Sequence, residues 1–481
     1  MIPSLALLAM VAVGLLAARR TRSTEDYLVA GRRLGAVRAG LSVAASAFSG
    51  FVFLGGAGLT AEVGAGSLFI IVPAGFTAAL LCRTAGRRLA LIAVVAGART
   101  LPEAIRFRFG GRAAEALAAV AILGGSIVYL GVQLAALARA ASFFQPQIAP
   151  GWALLLGFGA LMAYGLAGGM LASVNTDVLQ AVIMVAAAVA AFAWAAGVLS
   201  APPGLVGAVA DAGPGAASLL DPVGVLGAST GFGLLLLFSV GTLGQPHMLH
   251  KFLMLRSPAT LRLLPAVIGT AQGLSLLVWI GLGGAAVILA ATGALDAVRH
   301  TDETALAVFA AGGAPAVLTG LVAAAVVSAV LSTADAFLNL GAAALARDLP
   351  RALGIAPRPG LRPVRLAGLL TGVAALAVAG AHLAGGGLIA WLGTLGFGAF
   401  AAALAPTMAL GLSWKRVTGA AAAASMGVGL GALLLLEVLR PNAAPGPAVL
   451  ALGAAFLTLV VVSLLTPRRP LPDQVRLAMT L

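Results

Sequence analysis

Apolar runs long enough to cross a bilayer recur from one end of this chain to the other, and nothing else in the sequence constrains its fold as strongly. A hydrocarbon core about 30 Å thick needs roughly 20 residues of helix. Inside it, each backbone polar group must be paired within the helix or face a protein-lined cavity. Of 481 residues, 61% are hydrophobic and 9% charged, against about 25% charged in a soluble domain. The pattern predicts an all-α membrane protein of about 13 transmembrane helices. The runs lie at 3–18, 38–62, 66–96, 114–142, 151–169, 173–200, 224–246, 263–292, 314–345, 364–384, 386–413, 418–438 and 447–466. Little chain is left for a soluble domain, so transport, channel and receptor roles remain.

A net charge of +14 would point to nucleic acid in a soluble protein, so the placement of the 29 basic residues decides its meaning. With the N-terminus outside, one side collects Arg19, Arg20, Arg22, Arg32, Arg33 and Arg38 and the basic residues of 83–112. The same side holds Lys251, Arg256, Arg262, the basic run of 347–365, Lys415, Arg416, Arg468, Arg469 and Arg476. Only Arg139, Arg299 and Arg440 fall opposite. Such asymmetry sets orientation, with the C-terminus cytoplasmic, and it makes the charge topological rather than a nucleic-acid footprint. The run at 2–18 has its arginines after it rather than before it, the pattern of a retained helix rather than a signal peptide. Cys82 is the single cysteine and can form no intramolecular disulfide. The Ala-, Gly- and Arg-rich composition points to a GC-rich bacterial genome, hence an inner membrane.

Within this frame the stretch 321–348, LVAAAVVSAVLSTADAFLNLGAAALARD, is unusual. Ala329, Ser332 and Thr333 stand at i, i+3 and i+4, on one helix face. Two hydroxyls and the nearby Asp335 are costly in hydrocarbon, so that face needs a cavity, a cation or another helix. Helical Ser and Thr can also bond back to their own helix. Two helices elsewhere look interrupted. LSVAASAFSGFVFLGGAGL carries Ser46, Ser49, Gly50, Gly55 and Gly56 at its centre, and LLLLFSVGTLGQPHMLHKFL carries Gly241, Gly244 and Pro246. Carbonyls freed by such breaks are tolerated where they line a cavity or hold an ion.

Five spans begin with each break, and an odd number forces the two halves to insert in opposite orientation. The expected organisation is a first helix and linker over 1–37, one repeat over 38–200, an outer loop over 201–223, and a second repeat over 224–413. Two further helices and a tail occupy 414–481. The loop motif RTLPEAIRFRFGGR reads as an interfacial helix on anionic headgroups. In ASVNTDVLQ, Asn175 or Thr176 can cap the sixth span with Asp177 in its first turn, or the group can serve an ion path; both can hold at once. His247, His250, His300 and His382 lack metal-ligand spacing, and the first two read as hydrogen-bonded structural groups. Glycines 385–387 follow no strand and read as loop or packing residues. No nucleophile, base and acid set can be assembled, so an enzyme is not expected.

Taken together, STEDYLVAGRRLG, SAFSG, YGLAGGMLASVNTDVLQ, GQPHMLHKF and SAVLSTADAFLNL, in this order and spacing, resemble the sodium:solute symporter family. The resemblance implies a LeuT-type 5+5 inverted repeat with broken helices at the midplane. It also implies a coupling Na+ held by the carbonyls of Ala45, Phe48 and Ala329 and the hydroxyls of Ser332 and Thr333, with Asp177 on the sodium exit path. Substrate contacts by the same mapping are Phe51, Tyr129, Gln133, Phe238 and Thr242. The chain departs from the family pattern at Asn175, at Ala47 and at Lys251, where an arginine is usual. The expected activity is sodium-coupled import of a small organic acid, amino acid or sugar by a monomer or weak homo-oligomer. A cation-independent carrier on the same fold, or a transporter-like sensor, is the competing expectation.

Overall fold

The computed structural model of the protein describes all residues except 1, 146, 203, 213–215, 294–303, 386–388, 441–444, 468, 469 and 481, and omits the side chains of 144, 389–392 and 480. Arg299, His300, Gly386, Gly387, Arg468 and Arg469 therefore lie outside the described residues. The described chain is helical throughout, and its only β pairing is an isolated bridge between Leu34 and Leu255.

In order, the principal helices are α1 (Ile2–Ala18), α2 (Ala36–Ala47), α3 (Gly56–Val63), α4 (Arg112–Phe144), α5 (Pro150–Ser200), α6 (Ala228–Val240) and α7 (Pro246–Leu249). They continue as α8 (Leu264–Ala291), α9 (Ala316–Ala343), α10 (Leu361–Gly385), α11 (Ile389–Pro406), α12 (Gly419–Leu439) and α13 (Gly446–Leu465). Among the described residues, nine helices are long and apolar enough to cross a membrane, and ten if α6 and α7, bent by 41° at their junction, form one span. The sequence expectation is larger because two of these helices, 51–96 and Pro150–Ser200, each cover two of the expected runs, and α1 is short.

Helix α9 is the axis of the molecule. Every residue from Ser328 to Ala343 is buried, polar ones included. It packs against α1, α2, α4, α5 and α10. A helix apolar or small on all sides belongs at the centre of a bundle, and the run of Ala, Ser and Gly along α9 lets its neighbours approach closely.

At 51 residues, α5 would span about 77 Å if straight, more than twice the bilayer core. Gly169 divides it, with φ 59° and ψ −150°. A Cβ there would sit 2.6 Å from the Tyr27 ring and 2.7 Å from the Tyr27 carbonyl oxygen. The turn thus requires glycine both for its backbone conformation and for the contact with the 24–29 helix.

Two expectations are corrected here. Asn175 and Thr176 do not cap a helix, because the chain is already helical from just after Gly169. Their side chains bond back instead, Asn175 Nδ2 to the Leu171 carbonyl at 2.6 Å and Thr176 Oγ1 to the Ser173 carbonyl at 2.8 Å. The RTLPEAIRFRF segment is helical over Leu101–Phe109, yet it packs into the protein, burying Leu101, Glu103, Ala104, Ile105 and Arg108. Glu103 pairs with Arg347 at 2.6 Å and Arg351 at 2.9 Å, and Glu115 with Arg106 and Arg351, both at 2.7 Å. The reason is that its acidic residue finds two guanidiniums from the chain just after α9, which anchor this part of the helix in the protein.

Replacement of Gly169 by alanine combines a left-handed cost of about 1–2 kcal/mol with a backbone clash. Gly169→Ala is expected to lower the unfolding midpoint of the purified protein in an SDS titration; a midpoint equal to the parent's would show that the turn does not need glycine.

Candidate functional site

The first break is built by sequence chemistry that a spanning helix would normally avoid. Helix α2 stops at Ala47, and Phe48 is extended at φ −95°, ψ 117°. The helix resumes through five π-type residues, Phe51–Gly55, before α3. An interrupted ladder strands carbonyls and amides at a depth where no water can serve them. Helix α9 supplies the missing partners. Ser332 Oγ donates to the Ala45 carbonyl at 2.9 Å and to the Ala329 carbonyl at 3.0 Å. Thr333 Oγ1 donates to the carbonyls of Ser46 at 3.3 Å and Phe48 at 3.2 Å. On the other side, the Gly50 amide donates to Gln133 Oε1 of α4 at 3.0 Å.

All five residues expected to contribute cation ligands, Ala45, Phe48, Ala329, Ser332 and Thr333, therefore meet in one place, and none is more than 3% exposed. The donor set is neutral. If the two hydroxyl protons turn away, five oxygen lone pairs point inward, which suits a hard monovalent cation that must also leave. Ser46 joins the cluster through its carbonyl, a contact the sequence did not single out.

Toward the α7 end of the bundle lies a buried polar cluster. Lys251 Nζ pairs with Asp177 Oδ2 at 2.9 Å, and both side chains are fully buried. Ser42 Oγ of α2 donates to the same Asp177 oxygen at 2.5 Å. Asp335, two residues beyond Thr333 on α9, accepts from Ser173 Oγ at 2.8 Å, and Tyr164 bonds the Leu331 carbonyl at 3.4 Å. Asp177 Oδ1 has no partner among the described residues. The cluster ties α2, α5 and α9 to the segment after α7 through two carboxylates and a single ammonium, and its Asp177 end touches the helix that carries Ala45.

On the other flank of the break, a small cavity of about 80 Å³ lies between the two interrupted helices. Phe51, Tyr129, Phe238 and Thr242 all line it, together with His247, Gln272, Trp279 and Phe397, and among the described residues no Asp, Glu, Lys or Arg does so. Phe51 stacks on Phe238 at 5.9 Å between centroids and meets Trp279 edge-on at 5.5 Å. Phe238 in turn stacks on Phe397 at 4.5 Å. The second break borders the cavity: after Gly241–Gly244, Gln245 is extended at φ −75°, ψ 107°. Gln245 Nε2 returns to the carbonyls of Gly241 at 3.2 Å and Phe397 at 3.0 Å.

Gln133 is not a lining residue; it serves the Gly50 amide instead. The two adjacent histidines part company. His250 bonds the Leu28 carbonyl at 2.8 Å, as a structural group does, whereas His247 lines the cavity; the Nδ1 of each has no partner among the described residues. Trp279, Gln272 and Phe397 escaped sequence reasoning because each sits singly in an ordinary apolar span. Only the tertiary crossing of α8 and α11 with the breaks brings them in.

The sequence model of the Sodium:solute symporter family matches residues 27–429. The sodium/proline symporter of Haemophilus influenzae is 28% identical over 439 residues, covering 87% of this chain and 84% of that protein. The sodium/pantothenate symporter of Escherichia coli is 27% identical, covering 86% and 85%. Among solved structures, the substrate-bound outward-open state of a Na+-coupled sialic acid symporter superposes with a TM-score of 0.73 at 17% identity, over 98% of both chains. That likeness establishes the LeuT-type fold.

Removing the ammonium from the buried cluster leaves two carboxylates uncompensated, a loss of about 3–5 kcal/mol for a broken buried pair. Lys251→Met should therefore unfold at markedly lower SDS than the parent, and adding Asp177→Asn should recover much of the loss. A double variant no more stable than Lys251→Met would disprove the coupling. With a family match over most of the chain and the family's broken-helix architecture in place, this protein belongs to the sodium:solute symporter family, and it is an integral membrane transporter rather than an enzyme.

Proposed function

We propose that the protein is a sodium-driven importer in which one Na+ binds among the carbonyls of Ala45, Phe48 and Ala329 and the hydroxyls of Ser332 and Thr333. The observation that carries this reading is the convergence of five neutral oxygens from a helix break and from the central helix at a fully buried point. In the sodium-free state the two hydroxyls bridge the helices by their own protons. Sodium replaces those protons as the link and makes the link stronger, because it draws on all five oxygens at once.

The solute sits in the adjacent cavity, against Phe51, Tyr129, Phe238 and Thr242, with Trp279 and His247 completing the wall. Gln133 acts from behind, by holding the Gly50 amide and so the shape of the break. An aromatic wall without a fixed charge suits a compact, largely apolar or zwitterionic solute; proline and pantothenate, named for two relatives, are the first compounds to try. Freed amides at the break can receive a solute carboxylate. Because ion and solute share the same broken helix, each raises the other's affinity by the same factor.

The repeats 38–200 and 224–413 rock against each other around this point, with 1–37, the loop 201–223 and 414–481 outside the exchange. The basic loops face the cytoplasm, in keeping with the positive-inside rule. Asp177 lies one helix turn along α2 from the cation ligands, through Ser42, and receives sodium on its way out while Lys251 returns to it afterwards. Each Na+ moving down about 100 mV supplies roughly 2.3 kcal/mol, enough for on the order of 40-fold accumulation before any sodium gradient is counted.

Uptake into proteoliposomes over a sodium series tests the assignment. Losing one hydroxyl ligand to a cation costs about 1.5–3 kcal/mol, so Ser332→Ala or Thr333→Ala should raise the half-saturating sodium concentration by roughly tenfold or more. Thr333→Ser, which keeps the oxygen, should stay near the parent. Unchanged sodium dependence in both alanine variants would refute the site.

A further inference from the structure

Away from the cation site, a cavity of about 800 Å³ opens where several helices end. Its walls are the end of the Leu101–Phe109 helix, the first residues of α4, the segment 414–420 leading into α12, and residues 466, 467 and 470–472 beyond α13. Four cations line it, Arg108, Arg112, Lys415 and Arg416, and among the described residues no carboxylate does.

Arg108 is the anchor of the argument. It is 3% exposed, its Nη2 donates to the Trp414 carbonyl at 3.0 Å, and its Nε has no partner. Burial pulls its guanidinium down to about 10. Arg416 is half-buried, with Nη2 donating to the Leu464 carbonyl at 2.7 Å and its Nε without a partner among the described residues. The contrast is with Arg106, Arg347 and Arg351 nearby, which Glu103 and Glu115 neutralise. A buried guanidinium without a carboxylate is costly, and an external anion would remove that cost. Helix α4 adds to the field: Gly111, the residue before it, supplies no side-chain cap, so its first amides and positive dipole end border the cavity.

The location selects the anion. Helix α12 starts and α13 ends at this cavity, so it stands at the boundary of the hydrocarbon region. Phe109, Trp414 and Leu471 line it beside the cations, giving one site with an apolar and a basic part. We propose that it binds the headgroup of an anionic phospholipid, the phosphodiester held between Arg108 and Arg416, with Lys415 and Arg112 at the rim. The occupant clamps the Leu101–Phe109 helix to α12 and α13. Basic recesses between span ends are suited to such lipids, each nearby cation adding about 1 kcal/mol.

Native mass spectrometry of the full-length protein, released from nanodiscs of phosphatidylcholine with a minor fraction of phosphatidylglycerol, tests this. The parent should retain phosphatidylglycerol in preference to phosphatidylcholine. Arg108→Gln and Arg416→Gln should each weaken that retention about fivefold, and Arg19→Gln, an exposed arginine elsewhere, should not. If Arg108→Gln fails to fold, Arg416→Gln and Lys415→Gln at the rim carry the test. Equal retention in parent and all cavity variants would overturn the proposal. So would displacement of the lipid by millimolar inorganic phosphate, which would make the cavity a free-phosphate site.

Discussion

The structure depends on an exchange of hydrogen bonds between an interrupted helix and a continuous one. In a low-dielectric slab each unsatisfied backbone group costs several kcal/mol, so the break after Ala47 could not persist on its own. The hydroxyls of Ser332 and Thr333 satisfy the carbonyls of Ala45, Ser46 and Phe48, and Gln133 satisfies the Gly50 amide. The remainder of the bundle holds α2, α4 and α9 close enough for that exchange. Small residues along α9, the turn at Gly169 and the ion pairs around Glu103 and Glu115 all act at that level.

The same interaction explains why such a site can be both a structural joint and an ion site. A hydroxyl shared between helices gives a weak, replaceable bond; a cation on the same oxygens gives a stronger one without new side chains. Neutral ligands keep the binding moderate, which a transport cycle needs. The charged groups are set apart, in the Lys251, Asp177 and Asp335 cluster, where the one ammonium pairs with Asp177 and the Ser173 hydroxyl donates to Asp335. Ser42 links the two regions, bonded to Asp177 from the helix that ends at the proposed cation ligands.

Much of this was readable in the sequence. The gap in helix propensity at Ser46, Ser49 and Gly50, the Gly241, Gly244 and Pro246 triplet, and the hydroxyl face of α9 each carry a local physical signature, and each marks a feature of the structure. What escaped were contacts made by residues with no local signature. Trp279 and Phe397 look like ordinary lipid-facing or packing residues until α8 and α11 cross the breaks. Gln133, expected among the substrate contacts, instead accepts the Gly50 amide freed by the break. The 101–109 segment looked interfacial since its Arg and Phe content is that of a headgroup-binding helix; its true partners, Arg347 and Arg351, lie more than two hundred residues along the chain. The expected cap at Asn175 or Thr176 failed because Gly169, not a polar residue, makes the turn.

The central claim is that sodium binds where the first break meets α9, and amide hydrogen exchange at residues 45–52 reads that junction directly. At constant ionic strength, replacing choline with sodium should slow exchange of these amides while leaving those of α12 and α13 unchanged. Exchange at the break that is indifferent to sodium would contradict the account.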